Sequence, residues 1–402
     1  MESVGRGSNL KIHTKAVHSG DRKKPPVQIP VTTPIYTAAS YISERQEELD
    51  RIFAREVEGY SYSRYGSPTA AALEELVASL ENGRGALACA SGMSALEIAV
   101  ITALVDRPKS ILAAEALYGA TINLFIRVFE PLGVAVRHVD IYDLRAVEQA
   151  IAESRPGCVL LETISNPVLR VGQIDRIAAL SKAAGAALVV DNTFATPLLV
   201  RPLELGANLV VHSLTKFLAG HGDVLGGIVV ADDVHCENMR TLARTYGPLL
   251  GPFEAYLAMR GIKTFPLRME RQCANAARVA EWLRRHPRIE RVIYPGDPAH
   301  PDAATIRRLF PPDLGGAMVS FAVKDARRED VFAFIDRLRL IVRATSLGDV
   351  HSMVLYPVIS SHREMPPADR ERLGITENLV RLSVGIEDLS DITADLDQAL
   401  NL

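Results

Sequence analysis

Cysteine is scarce in this chain. The four that occur, Cys89, Cys158, Cys236 and Cys273, never fall into a C-x-x-C spacing. That argues against a disulfide framework and against a zinc site, so no metal is expected, and it suits a reducing cytoplasm. Long apolar runs are missing as well. None reaches the ~18 residues a membrane span needs, and no apolar h-region opens the chain, so no membrane partner is expected. Excess charge is also lacking: 45 basic residues face 48 acidic ones, for a net charge of −3. That balance gives no reason to expect nucleic acid as a partner. Internal repeats and low-complexity tracts are not evident. Lysine is rare, with nine among the 45 basic residues. At 402 residues the chain is too long for one simple core, which predicts two or three domains.

What is present centres on one of those lysines. The apolar run Leu209 to Val211 reads as a buried strand. His212, Ser213, Thr215 and Lys216 follow as a polar knot, and a glycine-rich stretch comes next. Glycines there let other atoms approach the backbone closely. Lys216 lies between hydroxyls on one side and Phe217-Leu218-Ala219 on the other. Burial lowers a lysine's pKa, the setting for an amine that attacks a carbonyl in Schiff-base chemistry. The alternative is a lysine snorkelling at a strand end.

Residues 1–35 are polar and dotted with proline, and read as an extended arm or a floppy terminus. Residues 59–69 crowd hydroxyls around Arg64, with Tyr62 beside it. Such an arginine can hold a phosphate or carboxylate, or simply sit in a solvated turn. Ser67-Pro68 then predicts a helix start, with Leu73, Leu76, Val77 and Leu80 on one face. Ser91-Gly92-Met93 ends a strand and opens an apolar helix whose first-turn amides can bind an anion. Strands are predicted at 110–114, 134–139, 158–163, 187–191 and 209–211, with helices at 143–153 and 174–184. Such alternation indicates an α/β fold with a mostly parallel sheet covered on both faces. Ligands bind such sheets at the carboxyl ends of the strands. There the chain places Ser91-Gly92, Glu115 with Tyr118, Asn166, Asp191 with Thr193, and Ser213 through Lys216. Asp191 is either an N-cap or the partner of a protonated cofactor ring nitrogen.

After about residue 256 the pattern changes to a smaller α/β domain. It has helices over 267–286, 330–338 and 391–400 and strands at 292–294, 317–323, 341–344 and 379–384. Arg381 lies within an apolar strand, where its natural partner is a carboxylate, internal or from a substrate.

As a set, these motifs resemble the Cys/Met-metabolism family of pyridoxal 5′-phosphate enzymes, which includes methionine γ-lyase, cystathionine γ-lyase, cystathionine γ-synthase and the homoserine sulfhydrylases. The resemblance runs from about Thr33 to Asp388 through Tyr62-Ser63-Arg64, Ser91-Gly92-Met93, Tyr118-Gly119, Asn166-Pro167, Asp191-Asn192-Thr193, Ser213-Leu214-Thr215-Lys216, Ser346-Leu347-Gly348 and Arg381-Leu382-Ser383. It implies the fold type I architecture of these enzymes, with a seven-stranded sheet. The implied division is an N-terminal arm and intersubunit segment (1–66), a large cofactor domain (67–256) and a substrate-gripping domain (257–402). Lys216 would carry pyridoxal phosphate as a Schiff base. Asp191, with Thr193 beside it, would pair with the ring nitrogen, and Tyr118 would stack on the ring and act as an acid/base. Ser91, Gly92, Met93, Ser213 and Thr215 would surround the phosphate. Tyr62 and Arg64 would reach it from an adjacent subunit of a homotetramer. Arg381, helped by Asn166 and Ser352, would grip the substrate carboxylate.

Relatives that cleave cystathionine commonly have acidic residues at the positions of Ser61 and His351 and an arginine at that of Asn123. Their absence points to a shorter sulfur amino acid, such as methionine or homocysteine. The reaction expected is γ-elimination to a thiol, 2-oxobutanoate and ammonia. γ-Replacement on an activated homoserine ester and cystathionine cleavage stay open. Ala120 and Ser67 depart from the usual methionine γ-lyase pattern of cysteine and asparagine. A non-catalytic cofactor-binding protein is the alternative outside enzymes.

Overall fold

The structure is a computed structural model that describes residues 29–401. The chain divides into two compact units, Met1–Thr69 and Ala70–Leu402. Most of the arm expected over 1–35 lies outside the described residues. In the first unit a short helix, Gln46–Phe53, buries none of its residues. Tyr62 leads into a single 3-10 turn, Ser63–Tyr65. The Arg64 guanidinium lies 4.7 Å from the centre of the Tyr65 ring. The helix after Ser67 runs Pro68–Glu81, and Leu73 and Val77 on its predicted face are fully buried.

In the second unit, seven strands among the described residues form one sheet. They are β1 (Gly85–Cys89), β2 (Ser110–Ala114), β3 (Ala135–Val139), β4 (Cys158–Glu162), β5 (Ala187–Asp191), β6 (Leu209–Ser213) and β7 (Gly227–Ala231). Their order across the sheet is β1-β7-β6-β5-β4-β2-β3. Only β7 runs against its neighbours, pairing antiparallel with both β1 and β6. β1, β4 and β7 are buried along their whole length. That burial is why they read as continuous apolar runs rather than alternating ones. β3, at the sheet edge, is largely exposed. The sequence reading names every strand here except β7, whose glycine start hides it.

A second sheet follows: β8 (Ile289–Ile293), β9 (Met318–Val323), β10 (Val342–Arg343), β11 (Met353–Leu355) and β12 (Leu379–Ser383), ordered β10-β11-β12-β9-β8. It is mainly antiparallel. The helices Phe265–Arg285 and Leu389–Leu400 contribute Val279, Leu283, Ile392 and Leu396 to its own apolar cluster. β11 is only three residues long, too short to leave a periodic signal. The two sheets face the chain with different demands: β4, β5 and β6 end in polar residues, while β12 carries its arginine in mid-strand.

Candidate active site

A cavity of about 490 Å³ opens at the carboxyl ends of β4, β5 and β6. Its wall includes Ser91, Gly92, Met93, Tyr118, Asn166, Asp191, Thr193, Ser213, Thr215, Lys216 and Arg381. Residues from both sheets therefore converge on one space, as the strand-end pattern predicts.

Lys216 sits in the turn after β6. Its Nζ donates to Ser346 Oγ at 2.9 Å. Burial, reinforced by the nearby Arg381 guanidinium, pulls its pKa down to about 8. An amine at that value is still mainly protonated near neutral pH but keeps a far larger neutral fraction than an ordinary lysine, and that fraction can act as a nucleophile. The turn is held from behind by Arg268, whose guanidinium donates to the carbonyls of Phe217 (2.9 Å), Leu218 (3.0 Å) and Gly261 (3.0 Å). Gly220 adopts φ +70°, and a Cβ there would collide with that guanidinium at 1.8 Å. The glycine thus admits the arginine that fixes the lysine's turn.

Asp191 ends β5. Its Oδ1 accepts the Thr193 amide at 2.9 Å. Removal from water raises its pKa, while its hydrogen bonds with Thr193 and the nearby His212 oppose the rise. The Thr193 hydroxyl in turn accepts the Ser213 amide at 2.9 Å, tying the ends of β5 and β6 together. Thr215 Oγ1 bonds both the amide and the carbonyl of Gly226.

The helix after β1 runs Gly92–Leu104, and its N-cap Ser91 accepts from the Ser94 amide at 3.1 Å. Gly92 and Met93 belong to the first turn, whose amides have no intrahelical acceptor, and both line the cavity. A side chain at Gly92 would press within 3.0 Å of Ser213 Cβ. An amine, a carboxylate 25 residues earlier, and an anion-binding helix start with hydroxyls beside it match the aldehyde, ring nitrogen and phosphate of pyridoxal 5′-phosphate.

Arg381 is buried in β12. Nη1 donates to Asn166 Oδ1 at 2.8 Å and Nη2 to the Ser346 carbonyl at 3.2 Å. Nε has no partner, and among the described residues no carboxylate lies within ion-pair distance. Burial lowers its pKa to about 10, so it stays cationic near neutral pH.

Three expected residues, Ser352, His351 and Ser61, are not among those lining this cavity. The Ser352 hydroxyl donates to Glu387 at 2.9 Å and accepts the Gly385 amide at 2.9 Å. Ser352 is fully buried, and these bonds tie it to the loop after β12. His351 is also outside the wall, with Nδ1 2.9 Å from Asp349 and most of its side chain exposed. Ser61, like Tyr62 and Arg64, belongs to the first unit, where its carbonyl accepts the Tyr41 amide. Sequence reasoning missed Glu162, Ser346 as a contact of Lys216, and Arg268. Glu162 carries the same signal as Asp191, a carboxylate ending a buried strand, and could have been found by it.

Comparison with known proteins follows the same line. The family model for Cys/Met metabolism PLP-dependent enzymes matches residues 13–401. L-methionine γ-lyase of Pseudomonas putida is 41% identical over 91% of this chain and 92% of that protein. O-succinylhomoserine sulfhydrylase of Pseudomonas aeruginosa is 39% identical over 96% and 94%. Among solved structures, a putative O-acetylhomoserine (thiol)-lyase of Campylobacter jejuni superposes with a TM-score of 0.88 at 27% identity, covering 94% of this chain and 97% of that one; it carries N′-pyridoxyl-lysine-5′-monophosphate. The chain belongs to the Cys/Met metabolism PLP-dependent enzyme family, and its cofactor is pyridoxal 5′-phosphate.

Proposed function

We propose that this enzyme is a carbon–sulfur γ-lyase acting on a small sulfur amino acid of the methionine or homocysteine type. The products are a thiol, 2-oxobutanoate and ammonia. The observation that carries the reading is Arg381, a buried guanidinium with one donor unpartnered and only neutral oxygens on the others. Such a group calls for an external carboxylate, and the α-carboxylate of an amino acid supplies it. Lys216 lines the same cavity as Arg381, so it would share that space with the substrate's Cα. Met93, Phe194, Leu225 and Leu355 give the wall an apolar side suited to a thioether. Asn123 spends its amide on Glu364 at 2.8 Å, so that position offers no cation to a distal carboxylate.

When bound, the cofactor supplies an electron sink that acidifies the substrate's Cα–H and Cβ–H bonds. Asp191 would hold the proton on its ring nitrogen. The first-turn amides of Gly92 and Met93, with the hydroxyls of Ser213 and Thr215, would hold its phosphate. Lys216 Nζ takes the proton from Cα and later from Cβ. The Cγ–S bond breaks, and sulfur leaves with the bonding pair and takes a proton that Tyr118 would donate. Protons then return to Cγ and Cβ, and water supplies the oxygen of the 2-oxo acid as ammonia departs. In an assembled homotetramer, Tyr62 and Arg64 of a neighbouring copy would reach the phosphate. The many exposed aromatic residues of the first unit, among them Tyr36, Phe53, Tyr60 and Tyr62, suit burial against another chain.

A second reading, γ-replacement on an acylhomoserine, has support in the near-equal identity to the Pseudomonas aeruginosa sulfhydrylase. Incubating the holoenzyme with methionine separates the two. Methanethiol and 2-oxobutanoate are expected; turnover only with an acylhomoserine plus sulfide or cysteine would refute the lyase.

A further inference from the structure

Glu162 ends β4 beside Asp191, its register partner on β5. It is buried and lines the cavity, yet no step above uses it. Its two carboxylate oxygens do separate work. Oε1 accepts the Tyr118 amide at 2.6 Å, and Oε2 accepts the Asn166 amide at 3.0 Å. Tyr118 and Asn166 both line the cavity, and Asn166 accepts from Arg381 at 2.8 Å. One side chain therefore fastens two wall segments that lie far apart in the chain.

We propose that Glu162 is a positioning residue that locks the carboxylate seat, Asn166 with Arg381, to the wall bearing Tyr118. The inference rests on reading this cavity as an amino-acid site. The arrangement is costly by itself. Burial, and then the neighbouring Asp191, push the Glu162 pKa up, opposed by the two amides and by Arg381. A carboxylate held against that cost between two backbone amides fixes geometry that neutral groups would hold less firmly.

The sign of one measurement distinguishes positioning from mere charge. Any negative charge on Glu162 near Arg381 works against a substrate carboxylate, so if only charge mattered, E162Q would tighten substrate-carboxylate binding or leave it unchanged. If Glu162 positions the seat, E162Q loosens it, because an amide can accept from one backbone N–H but not both. The test uses the holoenzyme and L-norleucine, which has the α-amino acid head but no sulfur to eliminate. Its Kd is read from the visible absorbance of the bound cofactor, and KM and kcat are measured alongside with the best sulfur substrate. Expected for E162Q is a rise of about tenfold or more in Kd and KM, with kcat changed less than about threefold. In an R381K background the same change should add little, since the seat is already broken. An unchanged or lowered Kd overturns the proposal, as does a fall in kcat alone. If E162Q loses the cofactor, E162D carries the same test: it keeps the carboxyl group but is one methylene too short to reach both amides. Because norleucine binding needs no γ-elimination, failure of the lyase assignment and failure of this inference are separate results.

Discussion

The site brings together two cations from two different kinds of strand, and their contrast explains the division of labour. Lys216 lies just past the end of a strand, in a turn whose glycine admits the clamping Arg268 guanidinium. Arg381 lies in the middle of β12, buried on both faces. Both bond to neutral oxygens, and both lose charge stability by burial. Removal from water brings the lysine's pKa down to about 8, where an appreciable neutral fraction exists near physiological pH. The delocalised guanidinium starts so much higher that a comparable loss leaves it charged, at about 10. The same desolvation therefore makes one group a nucleophile and leaves the other a carboxylate receptor.

The sharpest way to break this contrast is to remove the amine. Lys216→Ala should lower turnover by about 10⁴-fold or more while the protein stays folded, checked by steady-state assay and circular dichroism. Full activity in that variant would sink the mechanism. Next, Arg381→Lys keeps a cation but loses the planar fork. A loss of about 2–3 kcal/mol in kcat/KM is expected, mostly as a higher KM. A lysine that served equally well would mean the fork is not the recognition element.

A smaller effect tests the electrostatics between them. In the apoenzyme, the reactive fraction of Lys216 should grow as pH rises through about 8 and then level off. The sign follows from the lowered folded-state pKa: below 8 the buried ammonium is a destabilising charge, and that penalty is relieved as pH rises toward the ordinary lysine value. The rate of cofactor recapture against pH measures it. Arg381→Ala removes the second cause of the depression, so its inflection should move to higher pH; an inflection that stays put would show that the two cations do not interact. The smallest effect is expected at Ser352→Ala, which loses the bonds to Glu387 and Gly385. Stability should fall by about 1–2 kcal/mol in denaturant unfolding, with KM unchanged.

Much of this was legible before any coordinates. Strands β2, β4 and β5 lie within a residue of their sequence-based bounds, because fully buried parallel strands must be continuous apolar runs. The polar groups at their ends stood out against those runs, which is why Asp191, Ser213 and Lys216 could be named. Less legible was any residue whose role depends on a partner distant in sequence. Ser352 follows a loop that looks functional, but its hydroxyl answers to Glu387, 35 residues on. Arg268, in a helix full of arginines, gave no sign that it caps carbonyls some 50 residues earlier. β7 begins at Gly227, where a side chain would strike the Ser91 carbonyl at 2.2 Å. That constraint is set across the sheet, and no local pattern records it.

The sequence by itself determined the alternation of buried strands and helices, the single sheltered lysine, and the family these motifs define. Residue type and local polarity suffice for that, since each is a property of a few neighbouring positions. Only the tertiary structure decided which polar groups share a cavity, that Arg381 finds Asn166 and, among the described residues, no carboxylate within ion-pair distance, and that Glu162 joins two wall segments. Those are distances between segments far apart in the chain, and they are fixed by how two sheets pack, not by any one of them.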